Sequence, residues 1–161
     1  MIAKEGKYLT FQIDVETYGI PIEKVKEIIG IMNITKVPGM PKYVKGVINL
    51  RGNIIPLIDL RLKFDMDFKE YNDRTCVIVV EMQNKEEKKL MGIAVDNVSE
   101  VINLEKDFIA PPPSYNSDYS SEYITGMGKL KEIVVILLDI ERILSQKEKT
   151  ILDNMEVEKN V

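Results

Sequence analysis

Residues Tyr43 to Phe64 read Tyr-Val-Lys-Gly-Val-Ile-Asn-Leu-Arg-Gly-Asn-Ile-Ile-Pro-Leu-Ile-Asp-Leu-Arg-Leu-Lys-Phe. The stretch is densely apolar, yet Arg51 stands between Leu50 and Gly52, where its neighbours mark a core. A charge in such a place needs a partner or a function. The stretch also recurs. Tyr123, Gly126, Leu130 and Asp139 stand 80 residues after Tyr43, Gly46, Leu50 and Asp59. A second register of 73 residues relates Gly19-Ile20 to Gly92-Ile93, Glu27 to Glu100, and Pro38 to Pro111. The chain is two copies of one unit, with Lys131 in the second copy at the place of Arg51 in the first.

Working outward, the first copy opens with Tyr8 to Ile13, where Leu9, Phe11 and Ile13 alternate with Thr10 and Gln12, as in a half-buried strand. Asp14 to Tyr18 reads as a hairpin tip. Pro21 and the apolar residues 22, 25, 28 and 29 predict one helical turn running into a strand. Val37-Pro38-Gly39-Met40-Pro41 is a loop, with Met40 expected on the surface. Tyr43–Leu50 and Asn53–Ile58 are strands around a turn at Arg51-Gly52. Pro56 has no amide to donate, so its strand is expected at a sheet edge or with a bulge at that residue. Leu60–Phe64 and Ile140–Leu144 are each read as a short turn, and Asp65–Asp73 as a charged connector.

The second copy starts with the unbroken apolar run Cys76-Val77-Ile78-Val79-Val80. Counted from the matching prolines, it carries a seven-residue insertion within residues 112–122, which holds Tyr115 and Tyr119. Ser145-Gln146-Lys147-Glu148 has the form of a capping box, and Ile151, Leu152 and Met155 would share one face of a terminal helix. Many short strands, repeated twice, predict an all-β protein of two barrel-like lobes, 7–68 and 75–145, with short helical turns and a C-terminal helix and tail over 146–161. The short connector allows strands to be exchanged between lobes, giving one domain overall.

Composition limits the function. The 161 residues are 45% hydrophobic and carry a net charge of −4, with no basic stripe of the kind nucleic acid requires. There is no histidine and one cysteine, Cys76, so Ser-His or Cys-His catalysis and His- or Cys-built metal sites are excluded. The expectation is no metal and no cofactor. With one cysteine there is no disulfide framework, and with no signal peptide or membrane-length apolar run the expected setting is a reducing cytoplasm. Carboxylate chemistry remains open at Asp59, Asp96 and Asp139. These acids recur at matching positions in both copies, which favours structural roles such as capping the following turn. Glu27 and Arg51, like Glu100 and Lys131, are expected to form one half-buried ion pair per copy.

Val44-Lys45-Gly46-Val47-Ile48-Asn49-Leu50-Arg51-Gly52, followed by Ile55-Pro56-Leu57-Ile58-Asp59-Leu60-Arg61, closely resembles the signature of the CheW family of bacterial chemotaxis coupling proteins. Tyr18-Gly19-Ile20, Lys24-Val25-Lys26-Glu27-Ile28, Gly92-Ile93-Ala94-Val95-Asp96 and Tyr123-Ile124-Thr125-Gly126 extend the likeness over residues 7–145. The resemblance implies two five-stranded SH3-like β-barrels with a third core between them. It implies a non-catalytic adaptor, monomeric when free. Its partners would be the cytoplasmic tips of chemoreceptors and the regulatory domain of the CheA histidine kinase, in receptor arrays at the membrane. It places receptor binding at Val25, Glu27, Asn49 and Arg51. Kinase binding falls at Ile34 and Val37, and at Ala110, Ser114 and Tyr115. Two other readings stay open: a small carboxylate-dependent enzyme, and a related scaffold serving motility or gene regulation rather than chemotaxis.

Overall fold

The computed structural model describes residues 2–113 and 122–156, the last two as backbone only. Strands β1 (Gly6–Ile13) and β2 (Glu16–Pro21) form a hairpin, and a 3-10 turn (Ile22–Lys24) leads into β3 (Val25–Gly30). β4 (Val44–Leu50) and β5 (Asn53–Asp59) form a second hairpin, closed by the short helix α1 (Leu60–Lys63). The second copy repeats this with β6 (Cys76–Asn84), β7 (Glu87–Val95), β8 (Asn97–Leu104), the two-residue β9 (Ile109–Ala110), β10 (Ile124–Leu130) and β11 (Ile133–Leu138). A 3-10 turn (Ile140–Arg142) and the helix α2 (Gln146–Glu156) follow.

Neither sheet is built from one copy. The six-stranded sheet runs β8-β1-β2-β11-β10-β9 and the five-stranded sheet β3-β6-β7-β5-β4. Each copy lends its opening hairpin to the other copy's sheet. The join is parallel in both cases: Leu57 pairs with Gly92 where β5 meets β7, and Leu137 pairs with Gly19 where β11 meets β2. The equivalence extends to irregularities. The register slips between Val44 and Gly46 and again between Ile124 and Gly126. The Tyr43 carbonyl accepts from Asp59 N, and the Tyr123 carbonyl from Asp139 N, at 2.8 Å each.

The period-2 alternation of strands divides the apolar side chains among three cores. Val77 and Val79 enter the core of the five-stranded sheet with Ile48, Leu57 and Ala94. Ile78 and Val80 point the other way, into a central core with Phe11, Ile20, Ile58, Ile93 and Leu138. The run from Val77 to Val80 is unbroken because both of its faces are buried. Tyr8, Ile102, Leu104, Val135 and Leu137 fill the third core, inside the six-stranded sheet. The central core contains residues of both sheets, so it binds the lobes into one body. A row of stacked rings, Phe11–Tyr18–Phe64–Tyr123, crosses the junction at centroid spacings of 6.0, 5.5 and 5.4 Å.

Two clasps fasten the exchanged hairpins. Arg61, nearly buried after β5, pairs with Asp96 at 2.7 Å and with Asp14 at the β1–β2 tip at 3.6 Å. Glu141, at the position of Arg61 in the second copy, accepts from the Gln83 amide near the β6–β7 tip at 3.0 Å and pairs with Lys24 at 2.9 Å and Lys149 at 3.4 Å. The geometry is repeated with the charge reversed.

The structure corrects two local expectations. Pro56 lies neither in an outer strand nor at a bulge: β5 is interior, between β7 and β4. The parallel ladder to β7 begins only at Leu57, so Pro56 sits one residue before an amide would be needed on that side. Met40 is half-buried against the central core, because the loop carrying it folds back over Val44 and Tyr43 rather than standing in solvent.

The capping box forms as read. The Ser145 amide donates to Glu148 Oε1 at 2.8 Å and the Glu148 amide to Ser145 Oγ at 3.1 Å. Glu148 also accepts from the Tyr43 hydroxyl and pairs with Lys63 at 3.0 Å. Burial pushes its carboxyl up, but the Ser145 amide, Tyr43 and Lys63 outweigh burial and hold it at about 2. Leu152 is buried on the inner face of α2. Met155 lies outside the described side chains.

Three measurements test this account. Gly46 has φ +144°, and a Cβ there would collide with the Thr35 carbonyl, so Gly46→Ala should cost about 2–3 kcal/mol. An unchanged melting temperature would remove the Thr35–Val47 bridge from the fold. Arg61→Ala leaves Asp96 buried without its cation and should cost about 3 kcal/mol in chemical denaturation, whereas a loss too small to detect would mean the clasp is idle. Because the Glu148 carboxyl is depressed, its contribution is complete above the ordinary 4.5 and is lost as pH falls through about 2. Amide signals of α2 should therefore show release of the helix in that window, and Glu148→Gln should weaken its docking at neutral pH.

Candidate functional site

Arg51 and Gly52 both take left-handed backbone, φ 52° and 89°, between the paired residues Leu50 and Asn53. That is a two-residue hairpin of the primed type, which fits the twist of the flanking strands. Gly52 adopts it without strain, and Asn49 Oδ1 accepts from the Gly52 amide at 2.8 Å. Leu50 turns into the core, so Arg51 must turn out. Its side chain is 69% exposed, which corrects the expectation of a charge within the core.

Arg51 Nη2 hydrogen-bonds Glu27 Oε2 on β3. β3 and β4 are the two outer strands of the five-stranded sheet. An ion pair between β3 and the tip of the β4–β5 hairpin therefore requires the sheet to curl until its ends meet. The hydrogen bond that Arg51 donates to Glu27, and then the Glu27 charge, raises the Arg51 pKa above its ordinary value, so the guanidinium stays charged. Glu27 is half-buried but Arg51 is open to water, and solvent screening of the exposed guanidinium leaves the pair little weight in stability.

On β3 the register slips between Val25 and Glu27. Lys26 turns out to meet Glu81 at 3.1 Å, and that hydrogen bond is the largest cause of the lowered Glu81 pKa. Val25 is half-buried against the central core. Ile28, one of the apolar residues read as a turn running into this strand, is 43% exposed. The structure thus unites Glu27, Asn49 and Arg51 at one end of the five-stranded sheet, with Val25 two residues along β3. Ile28 lies on the opposite face of β3, since it pairs with Ile78 where Glu27 pairs with Val79. Its residue type alone does not distinguish it from the half-buried Ile29, which packs on the core of the five-stranded sheet; the bulge at Lys26 sets which face each takes.

The remaining predicted residues lie elsewhere. Ile34 and Val37 are half-buried on either side of Thr35, which bridges to Val47. Ala110 is half-buried in β9 and pairs with Met127, the counterpart of Val47. The two groups hold matching places in different sheets and do not meet. This pairing aligns Thr35 with Ala110, so five of the seven extra positions of the second copy fall between Ala110 and Tyr123, where it takes 13 positions against 8, and the other two fall before Ala110. Ser114, Tyr115 and Tyr119 lie outside the described residues.

The second lobe departs from the first at the corresponding surface. No ion pair joins Glu100 to Lys131 among the described residues, which corrects the expected second pair. Lys131 does keep the left-handed turn, φ 48°. Val101, the counterpart of Ile28, is 49% exposed, and Phe108, Ile133 and Val134 are exposed to similar degrees.

The candidate acids are each engaged structurally. Asp59 is buried, accepts from the Leu62 amide at 3.2 Å and takes the Tyr71 hydroxyl at 2.7 Å. Asp139 accepts from the Glu141 amide at 2.9 Å, and Asp96 is held by Arg61. Among the described residues no group of three or more Cys, Asp or Glu side chains is arranged to hold a metal ion.

A duplicated β fold whose outward features are a rigid charged turn and exposed apolar side chains defines a protein-interaction scaffold. Residues 7–148 match the family model described as the CheW-like domain. The chemotaxis protein CheW of Klebsiella aerogenes is 42% identical over 149 residues, covering 92% of this chain and 87% of the relative. That of Helicobacter pylori is 36% identical over 140 residues, covering 87% and 82%. The crystal structure of the scaffolding protein TtCheW from Thermoanaerobacter tengcongensis superposes with a TM-score of 0.79 at 31% identity, over 89% of this chain and 97% of that one. The chain belongs to the CheW family.

Since the guanidinium of the Glu27–Arg51 pair is exposed, Glu27→Ala should leave the melting temperature within about 1 °C of the parent. A drop of many degrees would show that the pair closes the sheet energetically as well as geometrically.

Proposed function

We propose that this chain is a non-catalytic adaptor that joins the cytoplasmic tips of chemoreceptors to the regulatory domain of a CheA-type histidine kinase in bacterial chemotaxis. It works in the cytoplasm, in receptor arrays at the membrane. Family membership with relatives named for chemotaxis supports this reading. The observation that carries it is the Glu27–Arg51 pair on a stiff turn. Its guanidinium is exposed and the pair is close to idle in stability, so recognition accounts for the effort of positioning it. Receptor tips would engage Val25, Glu27, Asn49 and Arg51. The kinase would engage Ile34 and Val37 on one lobe and Ala110, Ser114 and Tyr115 on the other. No helix among the described residues is long and apolar enough to cross a membrane, which fits attachment through partners.

The carboxylate-enzyme reading has lost its support, because Asp59, Asp96 and Asp139 each hold structure in place. The test is a pull-down with a CheA-type kinase and a receptor cytoplasmic fragment. The parent chain should form a ternary complex. Arg51→Glu should weaken receptor binding by about tenfold or more and retain the kinase. The exchange Glu27→Arg with Arg51→Glu should restore the pair but not receptor binding. Failure of the parent chain to bridge the two partners would reject the adaptor reading, and full receptor affinity in the exchange variant would reject the site.

A further inference from the structure

The repeat places two equivalent sites beside Asp59 and Asp139, and only one of them is filled. In the first, Tyr71 donates its hydroxyl to Asp59 Oδ2 at 2.7 Å. Phe68 packs edge-on against Tyr71 at 5.5 Å, with Lys45 Nζ over its ring at 4.2 Å. The space remaining there is about 10 Å³. In the second, a groove of about 510 Å³ runs past Asp139, bordered by Ile2, Ala3, Pro21, Glu23, Thr125 and Ile140.

The strand registers establish the equivalence. Leu9 pairs with Ile20 as Ile78 pairs with Ile93, so β1 and β6 correspond residue for residue. Counted on that register, Ile2 and Ala3 take the sequence places of Tyr71 and Asn72, and Thr125 that of Lys45; the Ala3 amide donates to the Thr125 carbonyl at 2.8 Å, whereas the Asn72 amide donates to Thr75 Oγ1 at 2.9 Å. Ile2 is 60% exposed and brings no hydroxyl to the acid. Asp139 spends Oδ1 on the Glu141 amide at 2.9 Å, as Asp59 spends Oδ1 on the Leu62 amide. Its Oδ2 has Arg142 Nε at 3.6 Å, beyond a good hydrogen bond. The acceptor that Tyr71 satisfies in one lobe is open in the other, above an apolar floor.

We propose that the groove beside Asp139 docks an extended segment of a partner protein carrying a Phe-x-x-Tyr pair, its phenol donating to Asp139 Oδ2 and its phenyl ring resting near Thr125. The chain's own connector, Asp-Met-Asp-Phe-Lys-Glu-Tyr-Asn-Asp (65–73), is the template for the ligand. That connector is acidic around its aromatics. The groove is flanked by Lys4 and Lys7, exposed and without a carboxylate partner among the described residues. Glu5, which accepts from the Lys106 amide at 3.3 Å, and Glu23 are the opposing charges along it. This docking site is independent of the Glu27–Arg51 surface.

The probe is a synthetic peptide of sequence 65–73, titrated into the isotope-labelled chain. Saturable shifts are expected at the Thr125 and Ile140 amides, and replacing the peptide's tyrosine by alanine should weaken binding by about tenfold. Ile2→Tyr puts a phenol at the sequence place that Tyr71 takes in the other lobe. It should fill the groove from within, raise the melting temperature and abolish peptide binding. Since Ile2 is exposed, this variant does not put folding at risk. Absence of saturable shifts at millimolar peptide overturns the proposal, as does binding that ignores the tyrosine or Ile2→Tyr. Shifts of the same amides on concentrating the chain without peptide would make a second copy the occupant and equally overturn it.

Discussion

The reciprocal exchange of hairpins is the constraint on which the rest depends. β1–β2 closes the sheet of the second copy and β6–β7 that of the first, each through a short parallel ladder. A parallel join leaves fewer and slanted hydrogen bonds, so side chains must hold it. The central core does this, because Phe11, Ile20, Ile78 and Ile93 are given up by the hairpins to a space that neither sheet encloses alone. Separating the lobes would expose this core, and the two cannot move as independent beads.

Charge then fixes what apolar burial leaves free. Hydrophobic contact does not specify how far a hairpin slides along its neighbour, whereas an ion pair with one geometry does. Arg61 and Glu141 occupy the same position in the two copies with opposite sign, and each reaches the tip of a borrowed hairpin. Reversal of sign at equivalent places makes each clasp wrong for the other hairpin. This distinguishes two units that share a backbone pattern.

Much of this was legible in the residues. The 80- and 73-residue registers identified the duplication, and the bulges, turns and capping acids recur at the positions those registers name. The capping box at Ser145 follows from spacing alone. The side on which a residue falls was less legible. Arg51 was read as core because its neighbours are core, but a two-residue turn ejects the residue between two buried strands. Ile28 was read only as part of an apolar run, because residue type cannot reveal which side of a bulged strand faces out. The second ion pair was inferred from symmetry, and symmetry of backbone does not oblige symmetry of charge. Which strands share a sheet depends on contacts nearly a hundred residues apart, and no local pattern encodes them.

The exchange has a consequence for the order in which the chain can assemble. As it leaves the ribosome, β1–β2 is complete within the first 21 residues, yet its parallel partner β11 arrives only at Ile133–Leu138. For most of synthesis the hairpin shows two open edges, one awaiting β11 and the other awaiting β8. Open edges pair with whatever strand is near. The β8 and β11 strands of a second nascent chain match those edges as well as the chain's own do, so exchange between molecules competes with exchange within one. A protein that lends its hairpins across its own middle is therefore most exposed to entanglement during translation, before β11 has been made.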